Sequence, residues 1–459
     1  MASPPPPTPP PHAGAGRPWD DLPAEIVDAV VSHLDIFGVA RLAAACTSWA
    51  KAVAVNPSMP FGMPCLLTSN IDGERCAFDV AKSCTNRHVD DGGELPMAAY
   101  VEGLRDQRWV GSRGSWIVSM DECCNARLVN PYTDARIDLP LVSTLPGITD
   151  PYDHFRCCTA ISRIVLCEAP SPGDGSDGVD EGAQHDYLAV AFVERSGQFL
   201  CVARGGDRSW IILKKKEDHR RVTYHDVIMH KGRIIAITRH GDLSVWNIRG
   251  CSSSQDDVLD CEPEILRGPK IELDDQYSVG LYYLAEIADG DRLLVACTFC
   301  VSSTYCRRAY GFRYETVEGF VEKGMLLYET DVADDPDRWR RVTSLGNHSL
   351  FLGANYPLCV SFQINPTVPL WLQQARPECK CKPEDELRWQ NVRPNCVIIA
   401  LTGTRFSREP CDGAVYDLER ETYDPVSWSW GNKDDFCCQD AMWFIPTLRD
   451  SFRATKAKF

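Results

Sequence analysis

Long apolar runs are missing from this 459-residue chain. No stretch reaches the roughly eighteen to twenty uncharged residues that a membrane-spanning helix requires. Positive charge is also short. Lys and Arg number 48 against 64 Asp and Glu, a formal net charge of −16, which argues against broad binding to a phosphate backbone, whose affinity rests on cationic contacts. Catalytic signatures are scarce as well: there is no G-x-S-x-G nucleophile turn, no P-loop and no H-E-x-x-H. Met1 to Pro18 has no apolar core of the kind a secretory signal needs. The expected setting is therefore the reducing interior of a cell, in cytoplasm or nucleus, where the 22 cysteines stay free thiols that pack as small hydrophobes.

What is present falls into three segments. Residues 1–18 carry eight prolines and read as a disordered leader unable to bury a core, in preference to a PxxP ligand. From 19 to 60 the pattern is helical. Leu22, Ile26, Val30 and Leu34 recur every fourth residue and lay one apolar stripe along a helix. Pro23 suits its first turn, and Glu25 and Asp28 suit the positive end of its dipole. Val39, Leu42, Ala43 and Cys46 mark a second helix, and Ser48 caps a third that presents Trp49 and Val53. Three short helices make a very small core, so a partner is expected to complete it.

From 61 to 459 the period becomes that of strands. Asp226-Val-Ile-Met-His230, Arg233-Ile-Ile-Ala-Ile-Thr238 and Leu243-Ser-Val-Trp-Asn-Ile248 are three apolar runs separated by Lys231-Gly232 and His240-Gly241-Asp242, which are hairpin signals. Similar meanders occur at 114–130, 187–213, 280–298 and 395–418. Repeated antiparallel units without helices between them predict a β-propeller of about six to eight blades, fewer if loops are long. Segments near 171–186, with five acidic residues, and 366–389, which holds Cys379-Lys-Cys381, read as loop insertions.

Several motifs invite a sharper reading and are better explained blandly. Cys297-Thr-Phe-Cys300 is a C-x-x-C, but it lies in a strand, where positions three apart face opposite ways, and no second pair completes a four-ligand set; no metal is expected. Tyr224-His225-Asp226 resembles acid–base machinery, yet adjacent strand residues also diverge. Lys214 to Arg221 is the densest basic cluster and reads as a charged hairpin turn before a nuclear-localisation signal. Asn347-His-Ser349 fits a glycosylation sequon that a cytosolic chain would not have modified.

Trp19-Asp-Asp-Leu-Pro-Ala-Glu-Ile26, followed by Arg41-Leu42, Cys46 and Trp49, is similar to an F-box. The match departs at Gly38, where an acidic residue is common, and at Thr47-Ser48, where a basic residue is frequent. The remainder resembles the C-terminal domain of plant F-box proteins of the KIB-like type, a kelch-like propeller. The residues that carry this are Trp109-Val-Gly-Ser112, Gly114-Ser-Trp-Ile-Val118, Leu128-Val-Asn-Pro-Tyr-Thr133, Leu139-Pro140, Asp226 to Gly232, Ser344 to Gly353, Pro394-Asn-Cys-Val397 and Trp443 to Leu448. Their order in one chain is more specific than any single piece.

The resemblance implies a mainly β chain: a kelch-like β-propeller preceded by a small three-helix F-box. It implies the substrate receptor of an SCF-type cullin–RING ubiquitin ligase, non-catalytic and without cofactor. Leu22, Pro23, Ile26, Val30, Leu34, Leu42, Cys46 and Trp49 would dock a Skp-type adaptor and, through it, a cullin. The propeller would hold a protein substrate. Helix-in-groove docking uses apolar anchors at i, i+4, which is the spacing of the stripe. Val30 and Val53 equally suit the F-box's own core. The alternatives are a ligase-independent binding protein with a vestigial F-box, and a propeller hydrolase with carboxylates gathered at the channel.

Overall fold

The computed structural model describes residues 22–31, 42, 48–49, 65–69, 75–79, 107–130, 135–145, 161–170, 187–194, 198–213, 222–248, 258–259, 262–287, 292–309, 313–331, 335–361, 394–400, 413–426 and 442–444. One helix, α1 (Ala24–Val31), precedes the strands. Leu42, Ser48 and Trp49 are also helical. The rest of the two further helices expected, with Leu34, Cys46 and Val53, lies outside the described residues, as do the Pro-rich leader, the basic cluster at 214–221 and both loop insertions.

The first two strands, β1 (Cys65–Ser69) and β2 (Arg75–Asp79), pair with each other. A first blade follows from β3 (Arg108–Arg113), β4 (Trp116–Met120), β5 (Ala126–Asn130) and β6 (Ala135–Asp138). A second comprises β7 (Ile161–Glu168), β8 (Leu188–Glu194), β9 (Gln198–Arg204) and β10 (Ile211–Leu213). The third is β11 (Tyr224–His230), β12 (Arg233–Thr238), β13 (Leu243–Trp246) and, after the short β14 (Val258–Leu259) that pairs back to β10, β15 (Glu264–Leu266). The fourth is β16 (Ser278–Glu286), β17 (Leu293–Ala309), β18 (Arg313–Asp331) and β19 (Asp335–Val342). The fifth contains β20 (His348–Leu352), β21 (Leu358–Ser361), β22 (Cys396–Ala400), β23 (Gly413–Asp417) and β24 (Thr422–Val426), with β20 parallel to β22. Last comes β25 (Met442–Phe444), which pairs antiparallel with β1, Leu66 opposite Trp443. The chain is thus a mainly β, five-blade β-propeller, with a three-stranded sheet from its two ends standing between the fifth blade and the first.

Local chemistry accounts for the meanders. In the third blade Lys231 (φ 48°) and Gly232 (φ 75°) both take the left-handed conformation, the pairing a two-residue hairpin turn demands. The strands on either side run in register from Val227 opposite Ala236 to His230 opposite Arg233. β12 is buried along Ile234 to Thr238, as expected for strands covered on both faces.

Among the described residues the short β14–β10 pair is the one ladder that links the chain of successive blades, so their contact is otherwise apolar packing between sheets plus bonds between neighbouring inner strands. Val118, Leu128, Ile164, Ala191 and Trp210 fill the space between blades one and two. Val190, Ile235, Trp246, Leu284 and Val295 join blades two, three and four. Leu294, Leu327, Leu350 and Val397 join four to five. The inner strands β3, β7, β11 and β16 run parallel. Arg108 Nη1 and Nη2 donate to the Ile161 and Ser162 carbonyls at 3.1 and 3.2 Å, start against start. Arg113 Nη1 donates to Leu166 O at 3.3 Å, end against end. Gly111 allows this approach, because a Cβ there would lie 1.8 Å from the Ile164 carbonyl oxygen.

The cysteine expectation needs one correction. Cys123, Cys167, Cys201, Cys297, Cys300, Cys359 and Cys396 are free thiols, whereas Cys124, which is buried, is disulfide-bonded. Free thiols are therefore not the rule for every cysteine, because a disulfide needs only two positions brought together by the fold, which spacing in sequence does not reveal.

Ring closure rests on Trp443. Its indole Nε1 donates to Leu352 O at 2.8 Å and its backbone N–H to Asn355 Oδ1 at 2.9 Å. Its carbonyl accepts Ser112 Oγ of the first blade, and its ring meets Phe351 edge-on at 5.1 Å. Trp443→Ala is expected to destabilise the chain by about 3–5 kcal/mol, read as a lower urea midpoint in equilibrium unfolding followed by tryptophan fluorescence and far-UV circular dichroism.

Candidate functional site

Two regions place the sequence-selected residues: α1, and the two ends of the ring of inner strands. In α1 the carbonyl of Pro23 accepts the N–H groups of Ile26 (3.0 Å) and Val27 (3.2 Å) and so starts the helix. Two i, i+4 pairs then divide its surface. Val27 and Val31 are buried at 3% and 0% exposure, whereas Ile26 and Val30 are 49% and 38% exposed. Leu22 is half-buried and Pro23 exposed. The expected stripe is therefore largely the outward one, and Val30 belongs to it. The inward pair, Val27 and Val31, was missed although the same four-residue spacing marks it. Leu42 and Trp49 are half-buried and Ser48 is exposed.

At the end of the ring where inner strands begin, Asp226 is buried on β11. Its Oδ1 accepts the Val227 N–H at 2.9 Å and faces Arg163 Nη2 at 3.6 Å. Its Oδ2 accepts the Leu284 N–H of β16 at 2.8 Å. Arg163, on β7, also donates to the His225 carbonyl and lies over the Phe192 ring at 4.0 Å. His225 Nδ1 accepts the Tyr282 N–H at 3.1 Å. Burial first, then the Arg163 and Arg239 charges, push the His225 pKa down to about 4. Burial likewise raises Asp226 to about 6, against the opposing pull of Arg163 and the two amide bonds. His225 and Asp226 thus join three blades, with both carboxylate oxygens and the Nδ1 lone pair already engaged, whereas the Tyr224 hydroxyl lies 3.4 Å from Ser244 Oγ within the third blade.

At the other end, Tyr356 reaches in from the β20–β21 connection. Its hydroxyl donates to Met229 O of the third blade at 3.1 Å, and the Arg113 guanidinium of the first lies over its ring at 3.6 Å. His230 Nδ1 pairs with Glu286 Oε1 at 2.6 Å, linking blades three and four. Neither Tyr356 nor Arg113 was singled out from sequence. They lie 243 positions apart (356 − 113), and no motif relates them.

The C-x-x-C does not form a pair. Cys297 packs in the apolar layer among blades two to four, while Cys300 Sγ lies 3.4 Å from Ser278 Oγ. A register shift at Phe299/Cys300 interrupts the strand alternation between them. Burial pushes the Cys297 and Cys167 thiols up to about 12, so neither is an available thiolate at neutral pH. Among the described residues, no three His, Cys, Asp or Glu side chains are placed to hold a metal ion, and no helix is long and apolar enough to cross a membrane.

Comparison with known proteins matches residues 89–367 to the family described as KIB1-4 beta-propeller. An F-box protein of Arabidopsis thaliana is 20% identical over 452 residues, covering 94% of this chain and 97% of that protein. A second Arabidopsis thaliana F-box protein is 23% identical over 240 residues, covering 50% of this chain and 55% of its own length.

The Asp226 environment predicts a pH signature. Its folded pKa of about 6 lies above the ordinary 3.8, so its contribution to stability is fully present below pH 3.8 and is lost as pH rises through about 6. His225 acts in reverse, losing stability as pH falls from 6.5 toward 4. Urea unfolding of the unaltered chain and of Asp226→Asn between pH 7 and pH 4 should therefore show the unaltered chain gaining stability relative to the variant as pH falls. A constant difference across that window would remove the assignment.

Proposed function

The chain belongs to the KIB1-4 beta-propeller family, and on that premise we propose that it is the substrate-recognition subunit of an SCF-type cullin–RING ubiquitin ligase, acting in cytoplasm or nucleus. In this reading the F-box docks a Skp-type adaptor, and through it a cullin, while the kelch-like propeller holds a protein substrate. The chain itself supplies no ubiquitin-transfer chemistry and binds no nucleic acid.

The observation that carries the reading is the outward stripe of Ile26 and Val30 on a helix that buries Val27 and Val31 on its other side. An isolated eight-residue helix is marginal in water, and an exposed apolar pair at i, i+4 is the form of a helix face that completes its burial against a groove. The names of the Arabidopsis relatives, F-box proteins, favour an adaptor as the owner of that groove. Leu22, Pro23, Leu42 and Trp49 extend the contact, with Leu34 and Cys46 as further anchors by resemblance alone. The engaged state of Asp226 and His225 and the protonated thiols favour a binding role over a hydrolase. A vestigial F-box on a binding propeller is the alternative if no adaptor binds.

Co-purification of the full chain with a Skp-type adaptor tests the reading. Stoichiometric binding is expected, with loss in a chain that begins at Phe61 and in Leu22→Ala/Pro23→Ala. Ile26→Asp/Val30→Asp should weaken binding by about a hundredfold or more, since placing charge on two apolar anchors costs several kcal/mol, while the far-UV spectrum of the propeller stays unchanged. Full binding by the Phe61 chain would overturn the docking assignment.

A further inference from the structure

The fourth blade does not end where its neighbours do. β17 and β18 are 17 and 19 residues long, but β16 pairs only with Leu293 to Cys300, and β19 only with Leu327 to Asp331. Past Cys300 the two strands continue for nine further registered pairs, from Val301 opposite Val321 to Ala309 opposite Arg313. At about 3.4 Å per residue that is a two-stranded ribbon roughly 30 Å long. Among the described residues neither of its edges has a strand partner.

The two edges differ in charge. Along β17 from Val301 to Ala309 there are two arginines, Arg307 and Arg308, and no Asp or Glu. Along β18 from Arg313 to Glu322 there are three glutamates and one arginine. From Val301 to Ala309 the β17 edge has no proline, and its Val, Thr and Tyr favour pairing. We propose that this edge is a docking site for an extended acidic segment of a partner protein, which adds as a strand in the place that β16 vacates at Ser278.

Charge selects the occupant. A second copy of the chain pairing edge to edge offers the same two arginines and no Asp or Glu from Val301 to Ala309, so it supplies no charge to complement them. The chain's own acidic run at 171–186 follows Glu168, at the end of β7. The ribbon instead leaves its blade level with the start of β16, at the opposite end of the ring. An acidic strand from another protein meets Arg307 and Arg308 on the β17 side and is repelled by the glutamates on the β18 side, so the edge is chosen as well as the partner. The site stands independently of whether α1 docks an adaptor.

Fluorescence anisotropy of the full chain with a labelled peptide of alternating Glu and Val tests this. Three comparisons are made: the same peptide with Lys for Glu, the Glu peptide N-methylated at alternate residues so that it cannot pair along an edge, and the Arg307→Glu/Arg308→Glu chain. The unaltered chain should bind the Glu peptide at least about tenfold more tightly in each comparison, since like-charge juxtaposition at an interface costs several kcal/mol and main-chain bonds supply strand-addition affinity. No binding of the Glu peptide by the unaltered chain overturns the proposal. So does equal binding of the Lys or N-methylated peptide, unchanged binding by the variant, or preferential binding of a thymidine oligonucleotide. The peptide comparisons use only the unaltered chain, so they hold even if the variant misfolds.

Discussion

Three blades meet on one buried carboxylate. Asp226 accepts an N–H from its own strand and another from β16, and it faces Arg163 on β7. This matters because, among the described residues, the blades have no ladder of backbone bonds between them apart from the short β14–β10 pair. Apolar packing holds sheets face to face without directional preference, so the angular placement of each inner strand falls to discrete polar contacts. The Arg108 bonds to Ile161 and Ser162, the Asp226 cluster and the His230–Glu286 pair play that part in succession around the ring. A buried ion pair of this kind adds little net stability once desolvation is counted. Its contribution here is geometric: it sets which strand lies beside which and at what height.

The same arrangement governs what the ring can do. Asp226 and His225 are spent on joining blades, and burial holds the Cys167 and Cys297 thiols neutral. Among the described residues, α1 leaves an apolar pair exposed and the ribbon of the fourth blade has edges without a strand partner. In the proposed reading both are surfaces for other polypeptides. One offers side chains at helical spacing, the other a backbone edge with charge along it.

Much of the architecture was legible in the residues. The hairpin at Lys231-Gly232 follows from a glycine between two apolar runs, and β11, β12 and β13 lie where those runs were. Trp109 to Ser112 and Trp443 to Phe444 carried the family resemblance, and both lie at the closure of the ring, where Ser112 bonds the Trp443 carbonyl. The C-x-x-C is split between two settings, Cys297 in the apolar layer and Cys300 beside Ser278. The helix stripe was read as one face, whereas the fold uses two: Ile26 and Val30 outward, Val27 and Val31 inward. Periodicity marks both pairs equally, and only neighbours in space decide which is covered. The disulfide at Cys124 and the meeting of Arg113 with Tyr356 left no trace in local pattern.

The sequence alone determined the class of elements, their order and their turns, because strand alternation, helical spacing and turn chemistry are properties of neighbours within a few residues of one another. It also determined the acidic balance and, through the order of its motifs, the family. The tertiary structure decided how the ring closes and which polar groups its closure consumes. It also decided that β17 and β18 outrun their blade, because the end of a neighbour's strand is set by a different part of the chain. Contacts such as Trp443 with Leu66 and Ser112, or Tyr356 with Arg113, join positions hundreds of residues apart. Their physical cause, the need to bury the last apolar edge of the ring against the first, exists only once the ring has formed.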